Sequence, residues 1–339
     1  MIRSTPSSDL SDDPLHSLAR GLRGTAVSAV LPPMGSTSGD QARNLMSMAV
    51  RADGALLALD YNTQTVHLFQ PQTQTWHAFS SPWVRNGRVL RIGRGSGDDE
   101  VAYLGTLGPT VLRFAQLPAE APEALARPDR VWHLPVDVSD LCRIDNYLAI
   151  RGTGLVDDGV VRLYSTADTS LVAAFGRGYD SDAPRIRAML SDGLVACDPV
   201  AKTLVVGFYY LPFVQAYDLS GRLLWTSYLA DFVPATFAET VTRSGERTLQ
   251  RQIGDYETRL LSLTPIEGGM ILLQLAELML SPAGRQRVSG VQTFLLSVDD
   301  GAGVYIGGDV PRILASRARH LWGTGSREEE PIRVVRVDF

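Results

Sequence analysis

The side chains in this chain best suited to holding another molecule are arginines, tyrosines and a tryptophan beside expected turns. They are Tyr61, Arg151, Arg177, Tyr209, Tyr210 and Trp322. Arginine presents five donors in a planar fork that fits a carboxylate or phosphate. Tyrosine and tryptophan offer a flat apolar face with one polar edge. The mixture suits a protein or peptide partner, a glycan or a small acidic molecule. The run Tyr209-Tyr-Leu-Pro-Phe213 is the most unusual locally, a row of bulky residues in a turn region, fit either for packing or for contact with a partner.

Other residue types carry less. Asp60, Asp198, Asp218 and Asp299 each stand beside an expected turn. Carboxylates converging from several strands could hold calcium, but aspartate also caps turns by accepting from nearby backbone N–H groups. A metal-dependent hydrolase or lactonase would need acids such as Asp60, Asp145, Glu267 and Asp309 around one ion. Gly93–Gly97 and Gly176–Gly178 precede neither a helix nor a Gly-Lys-Ser/Thr signature, so a phosphate loop is not expected. His16, His67, His77, His133 and His320 are scattered, and no Gly-x-Ser-x-Gly elbow occurs. Cys142 and Cys197 have no metal-binding spacing and read as two small buried hydrophobes on strands rather than a disulfide framework. No catalytic residue, cofactor or metal is expected.

The net charge of −5 is mild, and Lys202 is the only lysine among many arginines. No basic run is long enough for a nucleic-acid face, and no apolar stretch would span a bilayer. The opening MIRSTPSSDLSDDPLHSLARG is polar and lacks an apolar leader core. A cytoplasmic monomer is expected from the sequence as it stands, and an exported one if the true start lies upstream.

The elements that must position these residues are strands. Short apolar-polar alternations are separated by Gly, Asp, Asn and Pro. Helical periodicity is confined to Ala119–Arg127 and the region from Pro234 to Gln252. One strand type repeats: Thr65-Val-His-Leu-Phe69, Thr110-Val-Leu-Arg-Phe114, Val160-Val-Arg-Leu-Tyr164 and Phe213-Val-Gln-Ala-Tyr217, with looser copies at Val291–Val298 and Ile332–Val337. Each follows another strand and a turn. Glycines in Gly105-Thr-Leu-Gly108, Gly152-Thr-Gly154 and Gly323-Thr-Gly325 are expected to supply left-handed turn angles. Asp-x-x-Gly turns such as Asp218-Leu-Ser-Gly221 lead to outer strands.

The order of strand, turn, Val-x-x-Phe strand, Asp-x-x-Gly turn and outer strand resembles the bacterial six-bladed propellers of the NHL/TolB-like class. Gly93-Arg-Gly-Ser-Gly-Asp-Asp-Glu100 is similar to their Gly-x-Gly-Pro-Gly-Glu segment without its proline, and Phe175-Gly-Arg-Gly178 is similar to its opening. The resemblance implies a propeller and no particular reaction.

The sequence therefore predicts an all-β, six-bladed β-propeller over residues 25–339 after a flexible segment, 1–24. Thr25–Leu31 would complete the C-terminal blade and close the ring. One mouth would gather Tyr61, Arg151, Arg177, Tyr209, Tyr210, Trp322 and the insertion Ala230–Tyr256. The expected function is non-catalytic recognition of a partner at that mouth.

Overall fold

The computed structural model describes residues 2, 14–23, 27–32, 44–94, 100–115, 127–153, 159–243, 245, 247–252, 254–281, 286–324 and 334–338. Helix α1 (Pro14–Arg23) and strand β1 (Val27–Val30) come first. One sheet follows from β2 (Leu45–Val50), β3 (Leu56–Asp60), β4 (Thr65–Gln70) and β5 (Thr75–Phe79). A second holds β6 (Gly87–Arg94), β7 (Glu100–Thr106), β8 (Thr110–Phe114) and β9 (Arg130–His133). A third holds β10 (Asp137–Ile144), β11 (Tyr147–Thr153), β12 (Val161–Ser165) and β13 (Leu171–Phe175). Helix α2 (Pro184–Leu190) leads into a fourth of β14 (Gly193–Asp198), β15 (Thr203–Phe208), β16 (Phe213–Asp218) and β17 (Leu223–Tyr228). After a separate hairpin, β18 (Thr236–Val241) with β19 (Arg247–Gln252), a fifth sheet holds β20 (Tyr256–Ile266), β21 (Met270–Leu280), β22 (Gln286–Ser297) and β23 (Gly303–Gly307). The last strands, β24 (Arg312–Arg317), β25 (His320–Thr324) and β26 (Val334–Asp338), share a sheet with β1, which pairs antiparallel with β26 through Val30↔Val335.

Among the described residues there are thus six four-stranded antiparallel sheets and one two-stranded sheet. The repeated Val-x-x-Phe runs fall on the third strand of their sheets, at β4, β8, β12 and β16. The first strands neighbour one another in the order β2, β6, β10, β14, β20, β24, and β24 neighbours β2. Apolar clusters fill the spaces between successive sheets: Leu57, Leu59 and Leu68 meet Leu90, Leu104 and Leu112, for example. Leu45, Met48 and Phe69 likewise meet Ala315, Trp322 and Val334. Strands packed on both faces are buried at every position, as at Leu56–Asp60 and Thr203–Phe208, and are apolar except at the terminal Asp60 and Thr203. Outer strands such as β13 and β17 are half exposed. Each fully buried Leu or Val contributes roughly 1.5–3 kcal/mol. The architecture is all-β and of propeller type.

Ahead of residue 25, where the sequence suggests flexibility, α1 buries Leu15, Ala19 and Leu22 in a cluster with Val304 and Ile306 of β23. Arg23 Nε donates to Tyr305 O at 3.2 Å. Ile2 is buried and bridges in parallel to Leu229, its N–H donating to Tyr228 O at 2.7 Å. The region from Pro234 to Gln252, expected to be helical, is instead the β18–β19 hairpin. Its Thr236, Phe237, Thr240, Val241 and Thr248 favour extended backbone, and Phe237 meets the Tyr210 ring edge-on at 5.2 Å. Ala119–Arg127 lies almost wholly outside the described residues.

Two further expectations are corrected. Cys142 of β10 and Cys197 of β14 are both buried, as expected, but are joined in a disulfide with Cα atoms 5.8 Å apart. Corresponding positions of neighbouring first strands face each other, so 55 residues of sequence separation become contact. Glycine has a different use as well. Gly152 and Gly323 sit within strands, and a Cβ would come within 1.9 Å of Asp137 O and 2.1 Å of Arg312 O respectively. They are needed for close approach of the first strand, not for turn angles. The turn reading does apply to Gly221, at φ 85°, where Asp218 Oδ1 accepts from the N–H groups of Ser220 and Arg222.

We expect alkylation without reductant to leave both cysteines unmodified. The Cys142→Ser, Cys197→Ser variant should lose about 4 kcal/mol in denaturant unfolding. Free thiols in the native protein would refute the pairing. Gly323→Ala should cost several kcal/mol by the same measurement, because backbone cannot yield as a flexible side chain does.

Candidate functional site

A repeated irregularity builds the site. In five first strands one residue is extra relative to the partner strand: Met46 in β2, Arg88 in β6, Ser139 in β10, Leu261 in β20 and Leu314 in β24. Such bulges bend the strand and re-aim a side chain. All five bulged residues line one cavity of about 350 Å³, at the end where the first strands begin. Opposite the bulges of β10 and β24, Gly152 of β11 and Gly323 of β25 leave room for the carbonyls of Asp137 and Arg312.

Beside the bulges, hydrogen bonds join each sheet to the next around the cavity wall. Ser47 Oγ accepts from Leu90 N and donates to Leu90 O, both at 3.0 Å. Arg91 Nη2 donates to Asp140 Oδ1 at 2.8 Å, and Asp140 Oδ2 accepts from Val195 N at 3.1 Å. Leu260 N donates to Tyr209 O at 3.3 Å. Ile313 N donates to Gln274 Oε1 at 2.6 Å, and Arg312 Nη1 donates to Leu45 O at 3.4 Å. Asp140 is buried and holds three sheets together. Burial pushes its carboxyl up from the ordinary range, against the pull of the Arg91 guanidinium.

The chamber is rich in guanidinium. Arg88, Arg91, Arg259, Arg287 and Arg312 line it, with Asp140 as the one carboxylate among its described lining residues. Arg88 lies 3.9 Å from Asp192 at the margin. Arg259 lies over the Tyr209 ring at 4.9 Å and the Tyr210 ring at 5.3 Å. The two tyrosines meet edge-on at 6.4 Å. Burial, then the Asp192 charge, pushes the Tyr209 phenol up to about 12, so it stays a neutral donor. Burial lowers the Arg312 guanidinium to about 10, and the nearby Arg259 charge acts in the same direction. The β18–β19 hairpin leans over this wall: Arg251 pairs with the buried Glu257 and lies 5.6 Å from the Tyr210 ring.

Of the residues singled out in the sequence, the structure brings Tyr209 and Tyr210 together beside the chamber. Tyr61 lies in the β3–β4 turn, its N–H donating to Asn44 O at 2.9 Å. Arg177 is exposed beside Asp180 at 3.1 Å, on a separate cavity of about 220 Å³ that it shares with Arg162 and Arg187. Arg151 is fully enclosed at 0% exposure, with Nη1 donating to Val160 O at 2.9 Å and the guanidinium 4.6 Å from the Phe208 ring. Trp322 is buried with Phe69, Met48 and Val334. Both Arg151 and Trp322 are thus buried side chains rather than exposed ones.

Asp60, Asp198 and Asp218 cap turns through backbone N–H groups. Asp145 stands in the β10–β11 turn, 3.1 Å from Lys202, and Glu267 in the β20–β21 turn. Asp60 and Asp309 belong to the other end of the strands, so these four acids do not converge. No group of three His, Cys, Asp or Glu suited to a metal occurs among the described residues. No described helix is long and apolar enough to cross a membrane. Sequence reading missed Arg88, Arg91, Arg259 and Arg312. Their signal was an arginine inside or opening an apolar first strand, as in Arg88-Val-Leu-Arg91-Ile and Arg312-Ile-Leu.

The fold and the chamber define a protein of the propeller type. Similar solved structures are a member of the DUF4221 family from Bacteroides vulgatus, a protein of unknown function from Bacteroides thetaiotaomicron, and U3-55K. The first is 10% identical over 93% of this chain and 97% of that one, with a TM-score of 0.56. The second is 10% identical over 93% and 74%, at 0.53. U3-55K is 14% identical over 92% and 85%, at 0.50. The structural neighbours are propeller-type folds, which supports the fold without singling out the NHL/TolB-like class. No family model and no curated protein matches the sequence.

Asp140→Ala should destabilise the protein by about 3–5 kcal/mol, because it strands the Arg91 charge and the Val195 N–H. Chemical denaturation checks this, and an effect below 1 kcal/mol would show that the joint is dispensable.

Proposed function

We propose that residues 25–339 form one six-bladed β-propeller whose ring is closed by β1 in the C-terminal blade, and that the protein is a non-catalytic recognition module. The six four-stranded sheets, the cyclic order of their first strands and the β1–β26 pairing support the ring. A partner would sit at the mouth where the first strands begin. The observation that carries this reading is the wall made by Tyr209, Tyr210 and Arg259 under the β18–β19 hairpin, an aromatic and guanidinium surface beside a partly open chamber. Aromatic and arginine side chains dominate binding surfaces, since they combine large contact area with directional donors. Tyr61 would contribute at the rim of the same mouth. Arg177 would serve a neighbouring subsite.

The protein acts as a monomer in this reading, with a peptide, glycan or acidic ligand as its partner. The Cys142–Cys197 disulfide supports residence in an oxidising compartment, since cytosolic thiols are kept reduced. The sequence alone pointed to the cytoplasm, and the disulfide is the reason we favour export.

Native mass spectrometry of protein purified from its source should show a bound species that is lost in the Tyr210→Ala, Arg287→Ala variant. Retention of that species by the variant would place the binding face elsewhere. Elemental analysis of the same sample addresses the metal-dependent hydrolase: stoichiometric calcium or zinc would replace recognition by catalysis.

A further inference from the structure

The chamber at the base of this mouth has an electrostatic imbalance that its own residues do not resolve. Arg91 has Asp140, and Arg88 has Asp192. Arg259 and Arg312 have no hydrogen bond or ion pair to any acid among the described residues. Arg259 has only the faces of Tyr209 and Tyr210. Arg312 gives one long bond, at 3.4 Å, to Leu45 O, and its Nε is buried without an acceptor. These two guanidiniums come from neighbouring sheets and share the chamber wall, close enough for each charge to oppose the other.

Holding like charges half-buried and unpaired is costly, and a protein relieves such a cost with a counter-charge or with solvent. Here both guanidiniums line a concave, partly open pocket rather than a flat surface. At about 350 Å³ the chamber has the size of a small-molecule site and not of a protein–protein interface. The rest of the lining is mixed: apolar side chains such as Met46, Leu194, Leu261 and Leu314 stand beside the hydroxyls of Ser47, Ser139, Ser262 and Thr264, so a ligand there would meet both hydrocarbon and polar contacts.

We propose that the chamber binds a small organic anion bearing two or more carboxylate or phosphate groups, gripped by Arg259 and Arg312, with Arg88 and the Tyr209 hydroxyl as further donors. This deepens the recognition reading and rests on it: the mouth receives a partner, and the chamber fixes that partner's anionic group. Arg259 is already oriented by its stacking on the tyrosines, so the fork is preorganised and loses little freedom on binding. The exposed Arg287 at the rim draws anions inward.

The test is isothermal titration of the full chain with citrate, with inorganic phosphate and with pyrophosphate, at fixed ionic strength. At least one probe should bind saturably at one site. Citrate alone would identify carboxylate recognition, and the phosphates alone would identify a phosphate ligand. Arg259→Gln and Arg312→Gln should each weaken the bound probe at least tenfold. Arg319→Gln, an exposed arginine on the β24–β25 turn at the far end of the strands, should leave binding unchanged. Arg259 is half-exposed and its variant is expected to fold, which keeps the test valid if the Arg312 variant does not. No saturable binding of any probe, or equal loss in Arg319→Gln, overturns the inference. The recognition reading fails separately, if the species retained by native protein is unaffected by changes at Tyr210 and Arg287. An acidic peptide that binds while all three small anions do not would also overturn the small-molecule assignment, while leaving the mouth as the binding face.

Discussion

The whole arrangement depends on how each first strand is fastened to the next. Four-stranded sheets packed face to face around an axis diverge toward the outside, so their apolar contacts alone leave the centre loosely defined. In this protein the centre is set by polar links between neighbouring sheets, made on or beside their first strands: Ser47 to Leu90, Arg91 to Asp140, Asp140 to Val195, Tyr209 to Leu260, Gln274 to Ile313 and Arg312 to Leu45. The disulfide adds a covalent link at one of these joints. Hydrogen bonds are directional where hydrophobic contact is not, so they fix spacing and register at the place where the sheets come closest.

The same first strands then make the site. A regular strand sends alternate side chains to opposite faces, and here both faces are buried against neighbouring sheets. Nothing in that geometry would aim a residue along the axis. One added residue in each of five strands breaks the alternation and turns a side chain toward the centre. The site is therefore made from the irregular positions of a regular fold. Its charge comes from arginines whose burial is tolerated because aromatic rings, backbone carbonyls and the two carboxylates Asp140 and Asp192 surround them.

Much of the scaffold was legible in the residues. The Val-x-x-Phe runs marked third strands because those positions need apolar side chains on both faces, and Asp218 with Gly221 marked a tight turn by its required backbone angles. What escaped notice depended on relations between distant segments. Arg88 at its bulge, and Arg91, Arg259 and Arg312 near theirs, look like surface residues until the extra residue is placed in register. Gly152 and Gly323 look like turn glycines until a carbonyl of the adjoining strand is seen pressing on them. Cys142 and Cys197 look independent until β10 and β14 lie side by side. The hairpin at β18 and β19 looked helical because its polar stretches carry little alternation, and its docking on Tyr210 is a tertiary contact.

The path of the N-terminal stretch has a consequence for how the molecule comes into being. Ile2 docks beside Leu229, α1 packs on β23, and β1 pairs with β26, so residues that leave the ribosome early rest on strands that leave it late. Translation proceeds at about 5–20 residues per second, and throughout that interval the early segment has no surface to settle on. Sheets formed from consecutive strands can assemble as they emerge, but the final geometry waits for the arrival of β26. Until then the nascent chain exposes an apolar helix face and an unpaired edge, and a chaperone that shields them would protect the polypeptide during its most vulnerable minute.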